Sequence, residues 1–367
     1  MMPRRLLTRC AIGALVLSAC GTANAQVEGI PRYEHIIVII AENHAFGQII
    51  GNPGAPNLDR LAKTYGSASN FYGEVHPSKA NYIAMIAGDT FGIHDDDAYY
   101  CRATSTDRYC PSVARISPYV DQTVAARSLV DQLEERHMTW KGYYESIPAP
   151  GSKAVYFPDA HDPVAGNPDE LYAAKHNAFI NFRGVQDDPA LAEKVVGFDR
   201  LFADLSSGQF PNYAHVVPNQ CNEMHGLPPG PNVPPDCVFD NVAGRLARGD
   251  AMIGDLVAKV EASPIWSASG NVAVVITWDE DDDPPHKTGT QGCCGYDPNS
   301  PANFGGGHIP TIVITNHGPR GVVDPTPYNH YSLLRTTEAA FGIAEYLGHA
   351  ADVGAGVRTM APLFRVE

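Results

Sequence analysis

Positive charge is scarce in this chain of 367 residues: 26 Lys and Arg stand against 41 Asp and Glu, a formal net charge of −15. That balance excludes a surface that coats nucleic acid, because neutralising backbone phosphates takes clustered cations. Charge of either sign is sparse at 18%, while hydrophobic residues make up 44%, a globular rather than a disordered composition. No apolar run approaches the roughly 20 residues a membrane-spanning helix needs. The glycine runs are not followed by Lys-Ser or Lys-Thr, so the phosphate-cradling P-loop is missing. No Gly-x-Ser-x-Gly elbow marks an α/β-hydrolase, and no Cys/Ser-x-Pro-x-Arg segment marks a sulfatase. Internal repeats are absent too. Glycine and proline are plentiful, at 34 and 30, too many for a plain helical bundle or a coiled coil.

The N-terminus reads as a processing segment. Arg4, Arg5 and Arg9 form a basic start, Ala11 to Ala19 a short apolar stretch, and Ala23-Asn24-Ala25 an A-x-A cleavage site. Residues 1–25 are therefore expected to be an export signal, and residues 26–367 one catalytic domain. Leu17-Ser18-Ala19-Cys20 also matches a lipobox, so a lipid anchor at Cys20 and free release both stay open. The expected location is periplasmic or secreted, with an outer-membrane lipoprotein as the variant. Six cysteines would remain after cleavage, and an even count in an exported protein favours disulfides. Cys101–Cys110 and Cys221–Cys237 are the expected local pairs, leaving Cys293 and Cys294 for each other or for a metal.

His35 to Ala41 is a continuous β-branched run, the signature of a strand buried on both faces of a largely parallel sheet. Asn271–Trp278, Ile309–Thr315 and Phe210–Val217 read as further strands. Asn57–Tyr65, Asn81–Ala87 and Thr123–His137 carry helical periodicity. Strands alternating with helices predict an α/β fold, a three-layer α/β/α sandwich around that sheet. Asp89–Tyr119 and Gly151–Glu193 read as insertions with little regular structure, and Asp281–Gly307 as a long surface loop.

In such sheets, sites form beyond the carboxyl ends of the strands. Glu42-Asn43 follows the first strand and Asp279-Glu280 follows the strongest later one, both hard oxygen donors. Either pair alone reads as a helix cap or a solvated loop; both at corresponding strand ends suit a divalent cation. Ser78, after Pro77 and before a helix, reads on position alone as an N-cap. It is also a candidate nucleophile, lying where a helix terminus offers N–H groups to an anion. His176 and His225 lie in polar turns and could contact a phosphate or protonate a leaving group. Trp140, Tyr143 and Tyr144 read first as core aromatics and second as a wall for a leaving group.

Taken in order, several segments resemble the phosphoesterase family that includes acid phosphatases and phospholipases C, within the alkaline phosphatase superfamily. They are Ile39-Ile40-Ala41-Glu42-Asn43, His76-Pro77-Ser78 through Asn81-Tyr82, Lys175-His176-Asn177, Pro218 to His225, Thr277-Trp278-Asp279-Glu280-Asp281, Gly306-Gly307-His308 and Tyr328 to Leu334. The resemblance implies an alkaline-phosphatase-like fold and hydrolysis of a small phosphorylated substrate. It places Glu42, Asn43, Ser78, Asp279 and Glu280 around a divalent metal ion, one rather than two. It makes Ser78 the nucleophile, has His176 and His225 hold the phosphate or serve the leaving group, and offers His76 and Lys175 as helpers. The chain departs from the phospholipase C branch, which is longer and uses Thr as nucleophile, and this favours a phosphomonoesterase. A phosphodiesterase remains the alternative within enzymes. A periplasmic phosphate- or metal-binding lipoprotein without catalysis is the alternative outside them.

Overall fold

The computed structural model describes residues 26–112, 121–158, 170–282, 291–295 and 305–366. The expected export signal and the lipobox cysteine lie outside the described residues. The strands of the main sheet are β1 (His35–Ala41), β2 (Gly66–Tyr72), β3 (Trp140–Tyr144), β4 (Val195–Val196), β5 (Tyr213–Val217), β6 (Val272–Trp278), β7 (His308–Thr315), β8 (Val322–Asp324) and β9 (Tyr328–Asn329). They are ordered β8-β2-β7-β6-β1-β5-β3-β4, with β9 also pairing β2. All the pairings are parallel except those of β7, which runs antiparallel to both β6 and β2. The result is a mixed α/β fold around a large, mostly parallel sheet, as expected.

Every residue of β6 is buried, and so is every residue of β1 after His35. Because successive side chains point to opposite faces, burial of all of them means that both faces are covered. Each Ile or Val so removed from water contributes roughly 1.5–3 kcal/mol, which makes this run the anchor of the core. The covering helices include α1 (Pro56–Thr64), α2 (Lys79–Ala87), α3 (Leu129–Glu135), α4 (Phe198–Ser207), α5 (Val242–Glu261) and α6 (His330–Ala340). The start of α1 is tied to the middle of α5: Asp250 Oδ1 accepts from the Leu58 N–H at 2.8 Å, and Oδ2 from Asn57 Nδ2 at 2.9 Å. All nine residues of α2 are buried.

The helix expected over Thr123–His137 is only half formed. Residues before Ser128 make other bonds: Val124 bridges Phe182, and Thr123 Oγ1 donates to the Tyr99 carbonyl. Ser128 then starts α3 with a capping box closed by Asp131. Trp140, Tyr143 and Tyr144 are core residues on β3. The disulfides Cys101–Cys110, Cys221–Cys237 and Cys293–Cys294 are formed. Among the described residues no helix is long and apolar enough to cross a membrane.

The reversed direction of β7 decides where its residues act. Its N-terminus lies at the same sheet edge as the carboxyl ends of β1, β2 and β6, so Gly306-Gly307-His308 joins the edge that carries Glu42 and Asp279.

Candidate active site

β1 and β6 run in register with Ala41 opposite Trp278, so the residues that follow them emerge side by side. The Asp279 N–H donates to the Ala41 carbonyl at 3.2 Å, and the Asn43 N–H donates to Asp279 Oδ1 at 3.3 Å. Asn43 has φ +38°, a left-handed conformation that Asn adopts more readily than most residues. Its Nδ2 donates to Glu280 Oε1 at 2.7 Å, leaving Oδ1 buried with no hydrogen-bond partner.

Close backbone packing holds this edge. A Cβ on Gly73 would sit 2.7 Å from the Asp279 carbonyl oxygen, and one on Gly307 (φ +79°) would overlap the Asp281 carboxylate at 1.9 Å. Gly73→Ala is expected to lose about 1–3 kcal/mol of stability, read as a lowered thermal midpoint, because backbone, not a flexible side chain, must move.

Ser78 is not an N-cap of the usual kind. Its backbone is already helical (φ −47°, ψ −53°) and its side chain makes no cap bond. Instead Oγ donates to Glu42 Oε2 at 3.0 Å in a setting where Ser78 is 2% exposed and Glu42 fully buried. At the helix start the Lys79 N–H donates to Asp96 Oδ1 at 3.1 Å and the Asn81 N–H to the Ser78 carbonyl at 2.9 Å.

Glu42 is the hub. Tyr82 donates its hydroxyl to Glu42 Oε1 at 2.7 Å, and His176 Nε2 lies 3.2 Å from the same oxygen. The other His176 nitrogen, Nδ1, is 2.7 Å from Glu223 Oε1, while Tyr82 stacks on the imidazole with centroids 5.4 Å apart. His225 stands edge-on to His176 at 5.3 Å. Its Nδ1 is 2.8 Å from the Gly226 carbonyl and must carry the proton, so Nε2 presents its lone pair to Lys175 Nζ at 3.2 Å. Lys175 also donates to Asp96 Oδ2 at 3.2 Å. His76 lies 2.7 Å from Glu280 Oε2 and 3.5 Å from Asp281 Oδ1. All the expected site residues thus converge on one region, with Lys175, His225 and His76 on its partly open side.

Burial dominates the electrostatics. It raises the Glu42 carboxyl far above the usual range, with Asp279 and Glu223 adding repulsion. Burial, then Glu280, pushes Asp279 up to about 8; burial, with Asp279 and Glu145 adding repulsion against the pull of Lys175, raises Glu223. The His176 imidazole is held neutral by burial and by Lys175, and the same two causes lower His225 to about 3. Burial opposes the charged form of His76, but its bonds to Asp281 and Glu280 outweigh that and carry it up to about 9. Burial also opposes the Lys175 ammonium, yet Asp96 and Glu42 raise it.

Carboxyls crowded this closely either keep their protons or share a cation. Glu42, His176 and His225 each place a ligand atom within 4.8 Å of the others and form a group that could hold a metal ion. The lone pair that His225 would use already faces an ammonium, however. The oxygen donors fit a hard cation better: Asn43 Oδ1 is buried without a donor, and Glu42, Ser78 and Asp279 surround the same point of the chain. Glu280 accepts from Asn43 and is paired with His76, so it orients neighbours as well as adding charge. Sequence reading did not single out Glu223, Tyr82, Asp96 or Asp281. Glu223 shares a turn with His225, and Asp96 lies in the acidic run Asp95-Asp96-Asp97, inside a region read as an insertion.

Residues 52–344 match the Phosphoesterase family. The chain belongs to that family. This phosphoesterase is similar to a phosphatidylinositol-3-phosphatase of Mycobacterium tuberculosis, 27% identical over 314 residues, which is 86% of this chain and 79% of that protein. It is also similar to a phosphate-repressible acid phosphatase of Penicillium chrysogenum, 25% identical over 322 residues, 87% of this chain and 61% of that one. The phosphoesterase therefore spans less than two thirds of the fungal relative. Among solved structures, a protein of the alkaline phosphatase superfamily from Vibrio parahaemolyticus aligns with TM-score 0.47 and 13% identity over 87% of this chain and 69% of that one. The phosphoesterase is a hydrolase of phosphoric esters.

Proposed function

We propose that this phosphoesterase is an exported, cation-dependent phosphomonoesterase that works through a phosphoserine at Ser78, within one catalytic domain over residues 26–367. The observation that carries the reading is the Ser78 hydroxyl, turned away from its own helix and held 3.0 Å from a buried carboxylate. A serine hydroxyl is a weak nucleophile unless its proton has somewhere to go. Here the proton passes from Oγ to Glu42 Oε2 as Oγ bonds to phosphorus and the bond from phosphorus to the ester oxygen breaks. The departing oxygen takes its proton from the Lys175 ammonium, which His225 Nε2 orients at 3.2 Å on the partly open side. Water then attacks the phosphoserine, giving one proton back to Lys175 as the bond from phosphorus to Oγ breaks, and Glu42 returns its proton to Oγ to regenerate Ser78. Until it gives up that proton, Lys175 places a positive charge beside a dianionic phosphate in a pocket otherwise rich in carboxylates.

Glu42, Asn43, Ser78, Asp279 and Glu280 would hold a divalent cation; each carboxylate oxygen that accepts one hydrogen bond keeps a second lone pair for it. When bound, such a cation offsets the negative charge gathering on the phosphoryl oxygens. His176, clamped between Glu42 and Glu223, fixes the orientation of Glu42, while His225 faces the substrate.

Relatives named as phosphatases support the monoester preference. The test is turnover of p-nitrophenyl phosphate against bis(p-nitrophenyl) phosphate by the purified protein. The expected result is a kcat/KM at least about tenfold higher for the monoester. Preference for the diester would make the protein a phosphodiesterase, and turnover of neither would leave only a binding role.

A further inference from the structure

The polar mouth of the site has an apolar neighbour that the hydrolysis itself does not use. Among the described residues Phe239 is one of the few large hydrophobic side chains left in water, 39% exposed, and its ring stands 5.5 Å from the His225 ring at an interplanar angle of 67°. Chance mobility does not explain the exposure, because the backbone beneath it is fixed three times over. The Phe239 N–H donates to the Leu227 carbonyl at 3.0 Å, and the Leu227 N–H donates to the Cys237 carbonyl at 2.8 Å. The Cys221–Cys237 disulfide ties this strap to the turn that carries Glu223 and His225. Cys221, Leu227, Val233 and Cys237 form a small buried core of their own under the strap. Arg245 fastens the other side, donating to the His225 carbonyl at 3.0 Å. An exposed ring on so rigid a mount keeps apolar area uncovered at a constant position beside the open side of the site.

We propose that Phe239 is a specificity-determining residue that receives an aromatic or flat apolar ester group of the substrate while the phosphate sits at Ser78. The inference rests on the phosphomonoesterase reading and adds the substrate class to it. Lys175, His225 and His76 offer only polar contacts, which suit the phosphate. Phe239 stands edge-on to His225, one of the residues on the open side, and so offers an apolar surface there to a leaving group extending outward. Edge or offset stacking of two rings rewards a flat substituent over an aliphatic polyol.

The test compares wild type, Phe239→Ser and Phe239→Trp on p-nitrophenyl phosphate and glycerol 2-phosphate. The two esters differ in intrinsic reactivity, but that difference cancels when one protein's ratio of kcat/KM is divided by another's. Phe239→Ser is expected to lower the aryl-over-glycerol ratio about tenfold, mainly through KM for the aryl ester, and Phe239→Trp to restore it. Val323→Ser serves as a control, since Val323 is 64% exposed and pairs with Ser67 near the start of β2, at the end of the sheet opposite the site. An unchanged ratio in Phe239→Ser, an equal fall in Val323→Ser or no recovery in Phe239→Trp would each overturn the proposal. If wild type cleaves neither ester, the phosphatase reading has failed by itself. Calorimetric binding of phenylphosphonate against methylphosphonate then decides Phe239 separately: a preference for the phenyl compound lost in Phe239→Ser supports it, and no preference sinks it.

Discussion

Ser78→Ala is expected to lower kcat on phosphomonoesters by at least about 10⁴-fold while leaving the fold intact. Removing a covalent nucleophile typically costs the reaction several powers of ten, because the orienting and electrostatic groups that remain have no atom to deliver. Ser78 donates to Glu42 Oε2, lies against Asp279 and caps nothing, so the change removes a single hydroxyl from a buried polar cluster. That loss leaves one carboxylate oxygen less satisfied, worth about 1–3 kcal/mol of stability. The measurement is steady-state turnover beside a thermal melt, with mass spectrometry of acid-quenched wild type to find the phosphate on Ser78. Turnover within tenfold of wild type in the Ser78→Ala protein would remove Ser78 as the nucleophile.

Stripping divalent cations is expected to cost at least about 10³-fold in activity and to change how stability depends on pH. In the cation-free protein the Asp279 carboxyl is raised by burial and by Glu280 from 3.8 to about 8. Between those two values the folded state keeps a proton that the unfolded chain has released, so stability falls as pH rises through that window. The slope from one such carboxyl is at most about 1.4 kcal/mol per pH unit. Glu42, raised for the same reason, adds in the same direction. A cation binds the ionised carboxylates and competes with those protons, so its stabilising effect grows with pH. Thermal melts at pH 5 and pH 8, with chelator and then with excess magnesium, manganese or calcium, read this directly. The same pH slope with and without cation, together with full activity in chelator, would show that the carboxyl cluster works as an acid–histidine network instead.

Much of the fold was legible because its strongest strands are unambiguous. His35–Ala41 and Val272–Trp278 are runs of β-branched and apolar residues too continuous for a half-exposed strand and too short for a buried helix. Other elements gave little local signal. Gly66–Tyr72 contains Gly, two Ser and Asn, yet it is a sheet strand because β7 and β8 hold it on either side. The reversed direction of β7 has no local signature at all; it shows only in the antiparallel pairings of β7 with β2 and β6. The over-long reading of Thr123–His137 failed because periodicity ignores tertiary competitors, here the bridge from Val124 to Phe182.

For the site, residue type at strand ends was enough to nominate Glu42, Asn43, Asp279 and Glu280, since a carboxylate straight after an apolar strand must lie at the sheet edge. The sequence by itself determined the chemistry available: oxygen donors at two strand ends, a serine before a buried helix, and histidines in turns. Only the tertiary structure decided how these are wired. Asp96, from a segment that read as an insertion, fixes Lys175; Glu223 clamps His176; Asn43 is turned so that its amide oxygen is left without a donor. These contacts join residues far apart in the chain, and their strength comes from removing charges from water, a property of the assembled core and not of any local stretch.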